Sequence, residues 1–385
     1  MYDHIIVGAG IAGIVLAERI ANKLGEKVLI IEKRNHIGGN CYDNYNQDGI
    51  LIHKYGPHIF HTNMKHVWDY LSDFTHWNNY QHKVLGVINQ KKIPIPFNLN
   101  SIAKSFNSKL TQRIEEKLIK KYGLEAKIPI LELIQSEDEN LRLLAEYVYI
   151  NVFLNYTIKQ WGMRPEDLDP SVTARVPVSI SRDDRYFQDI YQGLPREGYT
   201  KMFERMTSNP KIEIKLNTDF KELIEFDDNK VVKFLNKEFQ GKLIFTGEID
   251  YFFNYKFGKL PYRTLDFEWK TYQKEYFQEV GVVNYPNDHE FTRITEFKHL
   301  TGQINAKTTI AREYPRDLNK KGDIPYYPVP KASYVETYRK YQNIAQEFED
   351  LIFVGRLAEY KYYNMDQVVD RALTIFQDNM VKGDL

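Results

Sequence analysis

The chain of 385 residues has one cysteine, Cys41. An internal disulfide, a dithiol redox pair and a cysteine-rich zinc site are therefore excluded. Charge of one sign is also lacking, since 52 Lys+Arg face 52 Asp+Glu. That argues against nucleic acid as a partner held by bulk charge. It leaves a local anion site open, because net charge says nothing of how charges cluster. Long apolar runs are missing too: the longest, Ile5 to Ala17, spans 13 residues and is too short for a bilayer. Met1–His4 lacks the basic start of a secretory peptide, so a cytoplasmic protein with no integral membrane segment is expected. No repeat or low-complexity linker interrupts the chain. What is plentiful is aromatic: 28 Tyr, 22 Phe and 4 Trp.

The length suggests about two to three domains. Residues 1–35 read as strand, glycine turn, helix and strand. Residues 100–155 read as helical. From about 178 to 330 short strands alternate with turn signals, as in Val231–Phe234, Lys242–Phe245 and Val280–Tyr285. Leu351–Phe353 is a buried-type strand, and a helix follows from about Met365. The order is α/β, helices, β-rich, then α/β again, so the last segment is expected to complete the first domain.

Gly8-Ala9-Gly10-Ile11-Ala12-Gly13 follows the apolar strand Ile5-Ile6-Val7 and opens a helix. A second strand, Lys27–Ile31, ends in Glu32, 19 residues after Gly13. This is the dinucleotide fingerprint: Gly8 for the tight turn, Gly10 for close approach of a pyrophosphate, Gly13 for helix–strand packing, Glu32 for a ribose hydroxyl. The helix N-terminus supplies unpaired N–H groups for the phosphates. Gly38-Gly39 after the acid, and the tail Phe353-Val354-Gly355-Arg356, resemble FAD proteins of the glutathione-reductase-like class. No second GxGxxG occurs, so no separate NAD(P) domain is indicated. Cys41 reads as a packing residue beside the cofactor turn.

Over essentially its whole length the chain resembles the bacterial UDP-galactopyranose mutases. The resemblance is carried by Tyr55–Thr62, Asn155–Gly162, Ala174–Val178, Asp183–Phe187, Tyr262–Glu268, Thr292–Glu296, Pro325–Pro328 and Gly355–Leu357. It implies an α/β fold: a Rossmann-like FAD-binding domain with an inserted helical domain and an antiparallel β-sheet domain. The expected boundaries are 1–78 with about 196–245 and 340–385 for the first. They are about 98–176 for the helical part, with a mobile loop near 167–177. The sheet domain takes about 79–97, 178–195 and 246–339. It also implies an isomerase that interconverts UDP-galactopyranose and UDP-galactofuranose for surface polysaccharide. Reduced flavin N5 is then the nucleophile on the anomeric carbon, with no net redox change. A homodimer and an unidentified reductant are expected with it.

The implied roles fall on particular residues. Arg175 and Arg293 match the diphosphate-binding arginines, a task suited to the guanidinium fork. Phe153 and Tyr156 match the uridine pocket, Trp161 is expected to line the same cleft, and Thr157 and Asn364 are expected among the substrate-binding residues. Tyr186, Tyr327 and Tyr362 match tyrosines bonding the diphosphate from the other side. His61 matches a catalytic position beside flavin and galactose, and histidine there favours galactose over N-acetylgalactosamine. His58-x-x-His61 is not read as a metal site. The cofactor is expected to touch Ile11, Ala12, Lys33, Asn40, His58, Ile59, Arg356 and Met365, besides Gly8, Gly10, Gly13, Glu32 and Gly39. One position departs: Asn364 stands where the family usually has Asp. An asparagine there keeps an N-cap for the helix at Met365, with Gln367 at N3, but loses a negative charge. Asp366 is a candidate to replace that charge. The alternative reading is an FAD-dependent oxidoreductase of the amine-oxidase-like type.

Overall fold

The computed structural model describes residues 2–168, 177–226, 230–329 and 331–381. Five parallel strands form one sheet in the order 212–215, 28–31, 4–7, 242–245 and 351–353. The central strand, 4–7, and its neighbour 28–31 reach solvent on neither face, which is why Ile5-Ile6-Val7 and Val28–Ile31 are continuous apolar runs rather than alternating ones. The opening helix Ile11–Arg19 packs against the closing helix Met365–Phe376, burying Ile14, Val15, Val369 and Ala372 in one core. The first and last segments of the chain are thus parts of the same layer structure.

A second sheet of seven strands runs 327–328, 262–272, 308–317, 293–296, 282–284, 84–88 and 91–95. Its spine is the long antiparallel pair Tyr262–Tyr272 with Thr308–Asp317. It is antiparallel except at one pairing, where Val84–Ile88 runs parallel to Val282–Asn284. That hairpin enters from a part of the chain far upstream, so no tight turn dictates its direction.

After the hairpin of strands 84–88 and 91–95 the chain forms a helical cluster: Leu99–Ser105, Ser108–Tyr122, Ile130–Leu133, Glu139–Val148 and Asn155–Trp161. Side-chain caps set three of its starts. Asn98 accepts from Ser101 N–H, Asn107 from Leu110 N–H, and Asp138 from Asn140 and Leu141 N–H. Gly162, at φ +68°, ends the last helix in the left-handed conformation. The apolar faces, including Ile114, Leu118, Leu141, Leu144 and Val148, meet the edge of the second sheet in a core of their own. The run is not wholly helical, since Lys127–Pro129 pairs with Pro177–Ser179. Among the described residues no helix is long and apolar enough to cross a membrane.

Candidate active site

The first cleft opens at the carboxyl ends of the parallel strands, where α/β sheets bind ligands. About 1140 Å³ of empty space is lined there by Gly8, Gly10, Ile11 and Ala12 of the opening turn, with Glu32, Lys33, Gly39 and Asn40 beyond the second strand. Gly10 starts the opening helix with no side-chain cap, so its terminal N–H groups are left for a ligand. Gly13 does not line the cleft. A Cβ on it would stand 2.1 Å from the carbonyl oxygen of Gly8, so its part is to let helix and strand meet. Gly39 does both: its φ is +56°, and a Cβ would fall 2.9 Å from Cα of Gly10. The Glu32 carboxylate is buried at its strand end and already oriented, accepting from Ala9 N–H at 2.8 Å and Arg34 N–H at 2.9 Å.

The sequence reading missed Arg34. Its guanidinium lies 4.8 Å from the centre of the Tyr55 ring and donates from Nη2 to Asn40 Oδ1 at 2.9 Å. Nη1 is buried with no partner. A buried cationic nitrogen without an acceptor is costly, and an anion in this cleft would satisfy it. Together with the helix N-terminus and the glycine cradle, it fits a dinucleotide pyrophosphate. Cys41 also lines this cleft, and burial pushes its thiol up to about 12. Its Sγ lies 3.5 Å from Met365 Sδ, so it packs and is no nucleophile at neutral pH.

A second cleft, of about 1410 Å³, lies between the helical cluster and the second sheet. Phe153, Tyr156, Thr157, Tyr186, Arg293, Tyr327, Tyr362, Asn364, His61 and Ile59 all line it. Trp161 does not: it stands behind, with ring centres 5.3 Å from Tyr327 and 5.8 Å from Tyr362. Arg175 lies outside the described residues, as does most of the loop near 167–177. Lys33 keeps to the rim of the first cleft, half exposed and 3.6 Å from Glu248. His58, Tyr326, Arg356 and Met365 line both clefts, so the two spaces abut at these four side chains.

Electrostatics sort the groups of the second cleft into charged and neutral. Arg293 Nε lies 2.8 Å from Oε2 of Glu313, a carboxylate only 1 % exposed, although the N–H is not aimed along that line. Burial alone lowers a guanidinium pKa, but Glu313 more than offsets this and holds Arg293 charged. Burial pushes the Tyr156 phenol up to about 12 and the Tyr327 phenol higher still. Both stay protonated and can donate O–H to anionic oxygens. Burial pushes His58 and His82 down to about 3, so both imidazoles are neutral at pH 7. His58 Nδ1–H donates to the carbonyl of Gly56 at 2.9 Å. Tyr327 is held by Gln160, whose Nε2 donates to the phenol oxygen.

A π-turn at Tyr149–Leu154 joins the helices Glu139–Val148 and Asn155–Trp161. Its wider turn, with more residues per turn than an α-helix, presents Val152 and Phe153 to the cleft alongside Tyr156 and Thr157. Asn364 sits at the N-cap of the closing helix, where Gln367 Oε1 accepts from its N–H at 2.9 Å. Asp366 lines neither cleft and accepts from Gln367 N–H. It brings no charge to this space. Besides Arg34, the sequence reading missed Glu313, His82, Phe187, Tyr326 and Asn284, whose Oδ1 is buried without a partner. Arg34 and Tyr326 adjoin residues already singled out; for Glu313 no local signal exists.

A family model described as UDP-galactopyranose mutase matches residues 151–362, and one for an NAD(P)-binding Rossmann-like domain matches 6–74. The UDP-galactopyranose mutase of Mycoplasma pneumoniae is 36% identical over 97% of this chain and 94% of its own. The dTDP-fucopyranose mutase of Escherichia coli is 35% identical over 98% of each. Among solved structures, a reduced UDP-galactopyranose mutase superposes with a TM-score of 0.72 at 16% identity, covering 100% of this chain and 94% of the other.

Proposed function

The chain belongs to the UDP-galactopyranose mutase family, and we propose that it interconverts UDP-galactopyranose and UDP-galactofuranose on a reduced FAD, for surface polysaccharide synthesis. One observation carries the reading. A cleft walled by Tyr156, Tyr327 and Tyr362 around the charged Arg293 abuts the dinucleotide cleft at His58, Tyr326, Arg356 and Met365. A nucleoside diphosphate held in the tyrosine-walled cleft, with its base against Phe153 and Tyr156, would have its sugar end at the junction.

The bound, reduced flavin supplies the nucleophile for the anomeric carbon. The chain's own residues do the rest. Arg293 stabilises the diphosphate as it leaves, because its charge is fixed before substrate arrives. Tyr327 and Tyr362 add O–H donors from the opposite wall. Phe153 and Tyr156 offer flat faces to uracil. His58 is neutral and cannot protonate the leaving group or repel a cationic centre. Arg175 belongs to this reading as the second diphosphate arginine. A cytoplasmic homodimer served by a separate reductant completes it.

The test incubates dithionite-reduced and oxidised holoenzyme with UDP-galactofuranose, with dTDP-fucopyranose in a parallel arm. The expected result is an isomer of unchanged mass from UDP-galactofuranose, formed only by the reduced enzyme. Turnover confined to dTDP-fucopyranose moves the substrate to the sugar named by the Escherichia coli relative. Stoichiometric consumption of O₂ without isomerisation supports the amine-oxidase-like alternative.

A further inference from the structure

His61 is gripped on two sides by a turn 128 residues away. Its ring stacks on Phe187 at 3.6 Å between centres, and its Nδ1 lies 2.9 Å from Oδ2 of Asp189. The other oxygen of Asp189 accepts from Asn63 Nδ2 at 2.7 Å, and Asn63 Oδ1 accepts from Ile190 N–H at 3.0 Å. From behind, the buried Gln192 donates its Nε2 to the carbonyls of both Phe187 and Asp189, at 3.1 and 2.9 Å. Backbone pairing fixes the register: His61 faces Gln192 and Thr62 faces Tyr191. One glutamine amide therefore pins the two residues that hold the imidazole.

We propose that Asp189 is a positioning residue that keeps His61 in the Nδ1–H tautomer, so that Nε2 accepts a hydrogen bond from a hydroxyl of the bound hexose. A carboxylate only accepts, so in a neutral imidazole facing it the proton sits on Nδ1. Nε2 is then the one ring nitrogen left for a ligand, and a neighbouring carboxylate sets tautomers in this way. The cleft that His61 lines is the one assigned above to the sugar nucleotide, and the inference rests on that reading.

The test uses full-length reduced holoenzyme and the variants Asp189→Ala and Asp189→Asn. Ring ¹⁵N shifts of His61, assigned by their loss in His61→Gln, report the tautomer. In the native protein Nδ1 is expected protonated and Nε2 bare, and Asp189→Ala is expected to mix the tautomers. In Asp189→Ala kcat should fall about 10- to 100-fold, as when the group orienting a metal-ligating histidine is removed. Affinity for UDP alone, which reaches the other end of the cleft, should change less than about twofold. Asp189→Asn keeps one acceptor oxygen and should recover part of kcat. The proposal is overturned if Asp189→Ala keeps the native tautomer, if kcat stays native, or if UDP affinity falls in step with kcat. Should the native enzyme convert no sugar nucleotide while the tautomer still responds to Asp189→Ala, the assigned reaction fails and the clamp on His61 stands.

Discussion

At the scale of single residues, the pair Arg293–Glu313 governs the second cleft. Glu313 is almost fully buried and its charge has Arg293 as its ion-pair partner. Arg293→Ala therefore removes two things at once: the cation proposed to hold a diphosphate and the partner of a buried anion. Turnover should fall by about 2–5 kcal/mol, the loss expected when one partner of a close charge pair is truncated. Stability should fall by up to about 3–5 kcal/mol, because an uncompensated charge stays buried. Adding Glu313→Gln to Arg293→Ala should restore much of the melting temperature and none of the turnover. Thermal denaturation read beside a sugar-nucleotide assay separates the two effects, and an undiminished melting temperature in Arg293→Ala would show that Glu313 does not depend on it. This pair also marks where sequence stops informing. Arg293 stands in a recognisable motif, whereas Glu313 becomes its partner only because two strands pair Arg293 with Glu313 in register.

At the scale of elements, the opening turn and the Gly38-Gly39 turn form one cradle from two segments. Gly39→Val should drive a side chain into Cα of Gly10 and force a left-handed φ on a β-branched residue. The expected outcome is a folded protein purified without its flavin, seen as native far-UV circular dichroism with the flavin absorbance lost. A variant that retains the flavin at native stoichiometry contradicts the cradle. These local features are legible in the sequence because each is a short run whose backbone dictates its residues. The strands Ile5–Val7 and Lys27–Ile31, the glycines and Glu32 follow from residue type and spacing alone. The closing helix from Met365 is legible for the same reason, through its cap and periodicity. Two kinds of feature are not. The π-turn at Tyr149–Leu154 has no composition of its own, since the residues that form it also suit an α-helix. Contacts such as His61 with Asp189, or Trp161 behind Tyr327, depend on where distant segments dock, and spacing in the chain carries no trace of that.

At the scale of the whole molecule, three histidines are held neutral by their surroundings: His53 and His82 are buried, and His58 lines both clefts. Burial pushes His53 down to about 4 and His58 and His82 to about 3. An unfolded chain takes up these protons near pH 6.5, while the native state refuses them until much lower. Stability from this source is full above pH 6.5 and declines as pH falls towards 4. At pH 5 each histidine costs about 2 kcal/mol relative to pH 7. Asp250, pushed up to about 6 by burial, acts in the opposite sense. Its native form holds a proton that the unfolded chain releases, so it returns about 1–2 kcal/mol over the same interval. For these four groups together the expectation is a loss of roughly 4–5 kcal/mol between pH 7 and pH 5, read by urea unfolding. A flat profile would mean that the three rings are hydrated in solution.

The four side chains common to both clefts carry a thermodynamic obligation. Through His58, Tyr326, Arg356 and Met365, the sugar-nucleotide space and the dinucleotide space share a wall of four side chains. Affinity and reduction potential then belong to one cycle. If a nucleotide binds the reduced holoenzyme tenfold more tightly than the oxidised one, it must raise the two-electron midpoint by about 30 mV. Substrate, merely by arriving, would help to keep the cofactor in the state that can use it.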